Sequence, residues 1–157
     1  MGVHHDKSFP GEGLKYRKAR DELLAAEKAL RRQVADVAEM RKNLPAGGAL
    51  PVDYVFDEGG ADIADSDTLK QTRFSELFDD DKDSLIVYSF MYGPSADNAC
   101  PMCTSLLDSL NGAAPHVTDR VNLAVVARSP ISRIRDWGRA RGWNKLRLLS
   151  SANNTYN

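Results

Sequence analysis

The stretch LIVYSFMY (85–92), GPSADNA (93–99), CPMC (100–103) and TSLLDSLNG (104–112) holds the only two cysteines of the chain. The apolar, β-rich run 85–90 predicts a strand covered on both faces. The segment Met102 to Leu110 predicts a helix stopped at Asn111-Gly112. Cys100 and Cys103 therefore sit where a strand hands over to a helix. Two intervening residues bring both sulfurs within reach of one disulfide. The unbonded N–H groups and positive end of that helix stabilise a thiolate on the first cysteine. On this reading Cys100 is the partly exposed nucleophile and Cys103, one turn in, is the more buried resolving thiol. Pro101 suits the first helical turn, where no N–H is needed. Met102 adds no charge between the sulfurs, and Tyr92 and Asp97 in the preceding loop are placed to tune access.

Two other readings of the pair stay open. A structural zinc site wants four Cys or His ligands. Here only His4, His5 and His116 accompany the two thiols. One chain thus offers at most Cys100, Cys103, His116 and a carboxylate, while two chains could share a zinc ion in a dimer. Inert burial, with the cysteines acting as small hydrophobes, is the third reading. The redox reading needs no cofactor and no metal, and its partner is a protein or small-molecule thiol or disulfide.

Outward from this stretch, Val121–Ala127 and Leu146–Ser150 predict two more strands, separated by a helix over Ile131–Arg141 that Ser129-Pro130 opens and Gly142 ends. Strand, helix, strand, helix, strand is the signature of crossovers on a parallel sheet. Upstream, residues 51–56 alternate as a strand, residues 57–60 read as its turn, and 61–64 as a returning arm. Residues 72–78 read as one or two helical turns. Residues 12–44 form a long helix. Tyr16, Ala19, Leu23, Ala26, Leu30, Gln33, Val37, Met40 and Leu44 recur on a seven-residue period. Such a rod either packs on its own domain or pairs with a second copy as a homodimer. The organisation expected is an N-terminal helical segment over 1–48 and an α/β domain over 49–157.

Composition narrows the function classes. No apolar run is long enough to span a bilayer, and the N-terminus lacks an apolar signal core. Together with the single cysteine pair this fits a reducing cytoplasm. Net charge is −1, but the signs are segregated. Residues 53–83 carry eleven carboxylates against three bases, and residues 128–147 carry seven bases against Asp136 alone. These are either two solvated faces or two faces that meet. Nucleic-acid binding is not expected, because no recognition motif accompanies the arginines.

The set Phe90-Met91-Tyr92-Gly93-Pro94, Cys100-Pro101-Met102-Cys103 with Asp108, Arg128-Ser129-Pro130, Arg141-Gly142-Trp143 and Ser150-Ser151 resembles DUF899, a bacterial thioredoxin-like family related to the AhpC/TSA group. The resemblance covers roughly residues 12–157. It implies a thioredoxin-like, mostly parallel sheet flanked by helices, with Cys100 and Cys103 at the redox position. It supplies no substrate. Two positions depart from thioredoxin-like patterns. Residues 143–146 hold no proline, and Asp97 stands where a peroxiredoxin would carry threonine. The resemblance also implies that C-terminal elements are missing and that Leu146–Ser150 is an open sheet edge. A binding or assembly module that kept the fold without the chemistry is the alternative function.

Overall fold

The strand Asn122–Ala127 is buried on both faces along all six residues, and the α/β unit is arranged around it. The computed structural model describes residues 8–79 and 81–157. His4 and His5 lie outside the described residues. The chain divides into two units, residues 1–49 and 50–157.

The first unit contains α1 (Leu14–Lys42), 29 residues and therefore about 44 Å long. None of its residues is buried. Ion pairs such as Arg17–Asp21 and Arg20–Glu27 line its polar surface.

The second unit contains β1 (Val55–Gly59), β2 (Leu69–Arg73), β3 (Leu85–Ser89), α2 (Pro101–Thr118), β4 (Asn122–Ala127), α3 (Ile131–Arg141) and β5 (Leu148–Ser150). The sheet order is β2-β1-β5-β4-β3. Strands β3, β4 and β5 are parallel, and β1 runs antiparallel to both β5 and β2. The sheet is thus mixed rather than mostly parallel. Helices α2 and α3 cover one face. Leu107, Ala114 and Ile134 pack there against Val125, Ala127 and Leu148. The other face carries Phe56, Leu77, Ala124, Val126 and Leu149, with Tyr54, Phe74 and Tyr156 against them.

Three expectations are corrected. First, Leu146–Ser150 is no open edge: β5 lies between β4 and β1, and β3 is an edge strand instead. The run 85–90 still packs on both faces, Leu85 and Val87 against one cluster and Tyr88 and Phe90 against the other, but the cover is incomplete and Ile86 is 49 % exposed. Second, residues 57–59 belong to β1, whose hairpin partner is 69–73 and not 61–64. The turn-like composition answers distant arginines. Glu58 accepts from both Nε and Nη2 of Arg147 (2.9 and 3.1 Å) and from Thr72 Oγ1 (2.6 Å). A Cβ on Gly59 would sit 2.4 Å from Arg135 Nε. Third, α2 runs through Gly112 and Pro115 to Thr118. Proline there costs one intrahelical bond, while burial of Ala114 keeps the helix on the sheet.

The two charged stretches meet within the chain, mostly through carbonyls. Arg135 is buried and donates to the carbonyls of Gly60 (2.8 Å), Asp62 (2.6 Å) and Asp65 (2.8 Å), and Arg139 donates to Ile63 O (2.9 Å). The carboxylates of Asp62 and Asp65 accept instead from backbone N–H groups of their own loop. Pairing three of the N–H donors of a buried guanidinium offsets part of a desolvation penalty of several kcal/mol.

Candidate functional site

Parallel strands that end side by side expose their C-terminal edge, and in this unit the loop after β3 crosses that edge before entering α2. The loop is held from below. Phe90 N–H donates to Val126 O (2.8 Å), Ser129 N–H to Tyr92 O (2.9 Å) and Cys100 N–H to Met91 O (3.0 Å). Ser129 Oγ donates to Gly93 O (2.9 Å), and Ser150 Oγ to Ser129 O (2.7 Å). Arg133 of α3 reaches the carbonyls of Pro94 (2.7 Å) and Ala96 (2.5 Å) and lies over the Tyr92 ring, 4.9 Å from its centre. The loop is therefore a clamped platform, and a CxxC pair emerges from it at fixed height.

Cys100 is the N-cap residue of α2 and Pro101 its first helical residue. Both cysteines are free thiols, Cys100 half-buried and Cys103 buried at 4 % exposure. The Cys100 carbonyl accepts from Thr104 N–H (2.9 Å) and Thr104 Oγ1 (3.0 Å), and Trp137 Nε1 in turn donates to Thr104 Oγ1 (3.2 Å). This chain fixes the first turn without using the Cys100 sulfur. The expected landing of helix N–H groups on that sulfur is not what the fold does. Cys100 makes no side-chain cap bond and packs against the core cluster.

Stabilising contacts converge on Cys103 instead. Burial pushes its thiol up. Hydrogen bonds from the Tyr88 hydroxyl, from Met91 N–H, from the Cys100 thiol and from its own N–H outweigh burial, holding the thiol below the ordinary cysteine value. The reciprocal effect appears on Tyr88. Its hydrogen bond to Cys103, with burial and the two neighbouring sulfurs, pushes the phenol up to about 12. Tyr88 thus remains a proton donor to Cys103 across the physiological range.

The other sequence-derived candidates are spread around this pair. Tyr92 is buried beneath the loop with its ring against Phe90 and Trp137. Its role is to support the platform. Asp97 and Met102 stand exposed, outside the sulfur cluster. Asp108 faces away from the sulfurs, accepting from Arg141 and, at 2.8 Å, from Trp143 Nε1. His116 lies in the last turn of α2. Among the described residues no three His, Cys, Asp or Glu side chains cluster as metal ligands.

Sequence reasoning missed Tyr88, Ser129 and Arg133 as members of the site. The signal for Tyr88 was available, because residues 86, 88 and 90 share one strand face and the third leads into the CxxC loop. Tyr88→Phe is expected to keep the ring packing and raise the Cys103 titration towards the ordinary cysteine value, since it removes the hydroxyl that lowers it. Ultraviolet thiolate absorbance against pH checks it, and superimposable wild-type and variant curves would remove Tyr88 from the site.

Fold and site together define a mixed α/β protein that presents a dithiol at a strand-to-helix junction. The chain belongs to the DUF899 family, described as bacterial protein of unknown function, whose model matches residues 8–157. No curated protein matches it. Among the described residues no helix is long and apolar enough to cross a membrane.

Proposed function

We propose that this protein is a thioredoxin-like thiol–disulfide oxidoreductase acting through Cys100 and Cys103. The observation that carries the reading is the division of labour at the pair. One thiol is half-buried at the helix entrance, while the other is buried and held below the ordinary cysteine value, against burial, by hydrogen bonds from the Tyr88 hydroxyl and the Met91 N–H.

The exchange balances as follows. The Cys100 thiolate attacks a substrate disulfide, forming a Cys100–substrate S–S bond and releasing one substrate sulfur as thiolate. The Cys103 thiolate then attacks the Cys100 sulfur and releases the second. Two protein thiols have become one disulfide, one substrate disulfide has become two thiols, and two electrons and two protons have moved. A dithiol reductant resets the pair by the reverse route. In that reverse direction Cys103 leaves first, and a thiol of lowered pKa leaves faster. Stabilising the reduced pair in this way biases it towards accepting electrons, that is, towards oxidising substrate dithiols.

A reducing cytoplasm and a homodimer joined along the α1 stripe belong to the same reading. The seven-residue period of α1, with Leu23, Leu30 and Val37 on it, supports the dimer.

Native mass spectrometry before and after mild oxidation tests the chemistry. A loss of two hydrogens per chain is expected, with both cysteines protected from alkylation. An unchanged mass, or a bridge joining two chains, would overturn the proposal.

A further inference from the structure

A cavity of about 320 Å³ opens on the sheet edge opposite the cysteines, where β1 ends and residues 143–147 enter β5. Its polar lining is Glu58, Arg135, Asn144, Lys145 and Arg147, and Ile63 and Trp143 supply apolar wall. Three cations thus face one carboxylate. That carboxylate is already satisfied, since Glu58 accepts two bonds from Arg147, one from Thr72, and lies 3.5 Å from Lys70 Nζ. Arg135 spends its terminal nitrogens on three carbonyls and has no carboxylate hydrogen-bonded to it. The nearby Asp65 carboxylate is taken by the N–H groups of Asp67 and Thr68. At the mouth, Lys145 and Asn144 are exposed, and among the described residues neither side chain has a hydrogen-bonding or ionic partner.

A concave site with surplus positive charge, unspent donors and an aromatic wall selects against cations and neutral polar molecules. We infer that this cavity binds a small organic anion, its carboxylate or phosphate group held by Lys145 and Asn144 and its apolar body against Trp143 and Ile63. The volume is at the low end for small-molecule sites, which fits a compact metabolite rather than a polymer. This assignment is independent of the thiol chemistry, which lies at the other ends of the same strands.

Isothermal titration at about 0.1 M ionic strength, using the full chain with benzoate, inorganic phosphate and the neutral benzamide as probes, tests it. Saturable binding of benzoate or phosphate is expected, with benzamide weaker by about tenfold or more, a gap of about 1.4 kcal/mol. The tighter of the two anions identifies carboxylate or phosphate as the source. Lys145→Glu should weaken anion binding by a similar factor. Arg128→Glu makes the same change in net charge at an exposed position beyond the far end of β4, and should leave binding within about twofold, because screening confines surface fields to roughly 10 Å. No saturable binding of either anion, equal binding of benzamide, or equal losses in the two variants would overturn the assignment.

Discussion

Cys103→Ser is expected to turn a reversible exchange into a dead end. Mixed with a symmetrical aromatic disulfide, the variant should form a stable one-to-one adduct on Cys100 and release one thiol per chain. The wild-type protein should release two and finish as an intramolecular disulfide. The physical reason is positional. Cys100 is half-buried at the entrance of α2 and open to attack or to attacking, whereas serine at 103 keeps the volume but supplies no thiolate to displace the adduct. Cys100→Ser should abolish adduct formation, since Cys103 is buried at 4 % exposure. Mass spectrometry of the adducts reads both outcomes. A Cys103→Ser protein that still releases two thiols, or a Cys100→Ser protein that reacts as fast as wild type, would show that the assigned roles are wrong.

The second large effect concerns the scaffold. Trp143 is the largest fully buried side chain, at 1 % exposure. Its ring meets Phe90 edge-on at 5.7 Å, and its Nε1 donates to Asp108 of α2 at 2.8 Å. It therefore ties the end of α3, the second turn of α2 and the strand that leads into the CxxC loop. Trp143→Ala should lower stability by about 3–5 kcal/mol, the range for truncating a buried aromatic. With a urea slope of about 1–3 kcal/mol per molar, the unfolding midpoint should fall by roughly 2 M. Trp143→Phe retains most of the packing and removes only the bond to Asp108, so its midpoint should fall much less. A midpoint change below about 0.5 M for the alanine variant would mean that Trp143 is not the fastening seen in the fold. Because the hydrogen bonds that hold the CxxC loop come from Ser129, Arg133 and the loop's own backbone and none from Trp143, alkylation of Cys100 in the folded fraction should stay near wild type.

Much of the parallel half of the sheet was legible locally. The run 85–90, the block 121–127 and the helix 131–141 each announce themselves by short-range pattern, and Gly142 ends α3 in the left-handed region at φ 72°. What local pattern misread was whatever answers a distant side chain. Glu58 and Gly59 look like a turn because turns favour charge and glycine. They are strand residues because Arg147 needs a carboxylate and Arg135 needs space. The helix continues past Asn111-Gly112 because its far turns bury Ala114 and Val117 against the sheet, and Asn111 is spent on Gly142 O and Lys145 N–H. The candidate site divides the same way. Spacing alone placed Cys100 and Cys103 at a helix entrance. Which sulfur would receive the hydrogen bonds depended on Tyr88, fifteen residues before Cys103 along the chain and brought to it only by the packing of α2 on the sheet.

The amino-acid order determined by itself that two thiols two residues apart begin a helix after an apolar strand, because backbone periodicity and capping act within a few residues. Strand neighbours were a tertiary decision: β5 went inside the sheet and β3 to its edge. So was the preference of the protein's donors for Cys103 over Cys100. Both depend on which faces are buried against each other, and burial is a property of the whole chain, fixed by contacts tens of residues apart that no local pattern encodes.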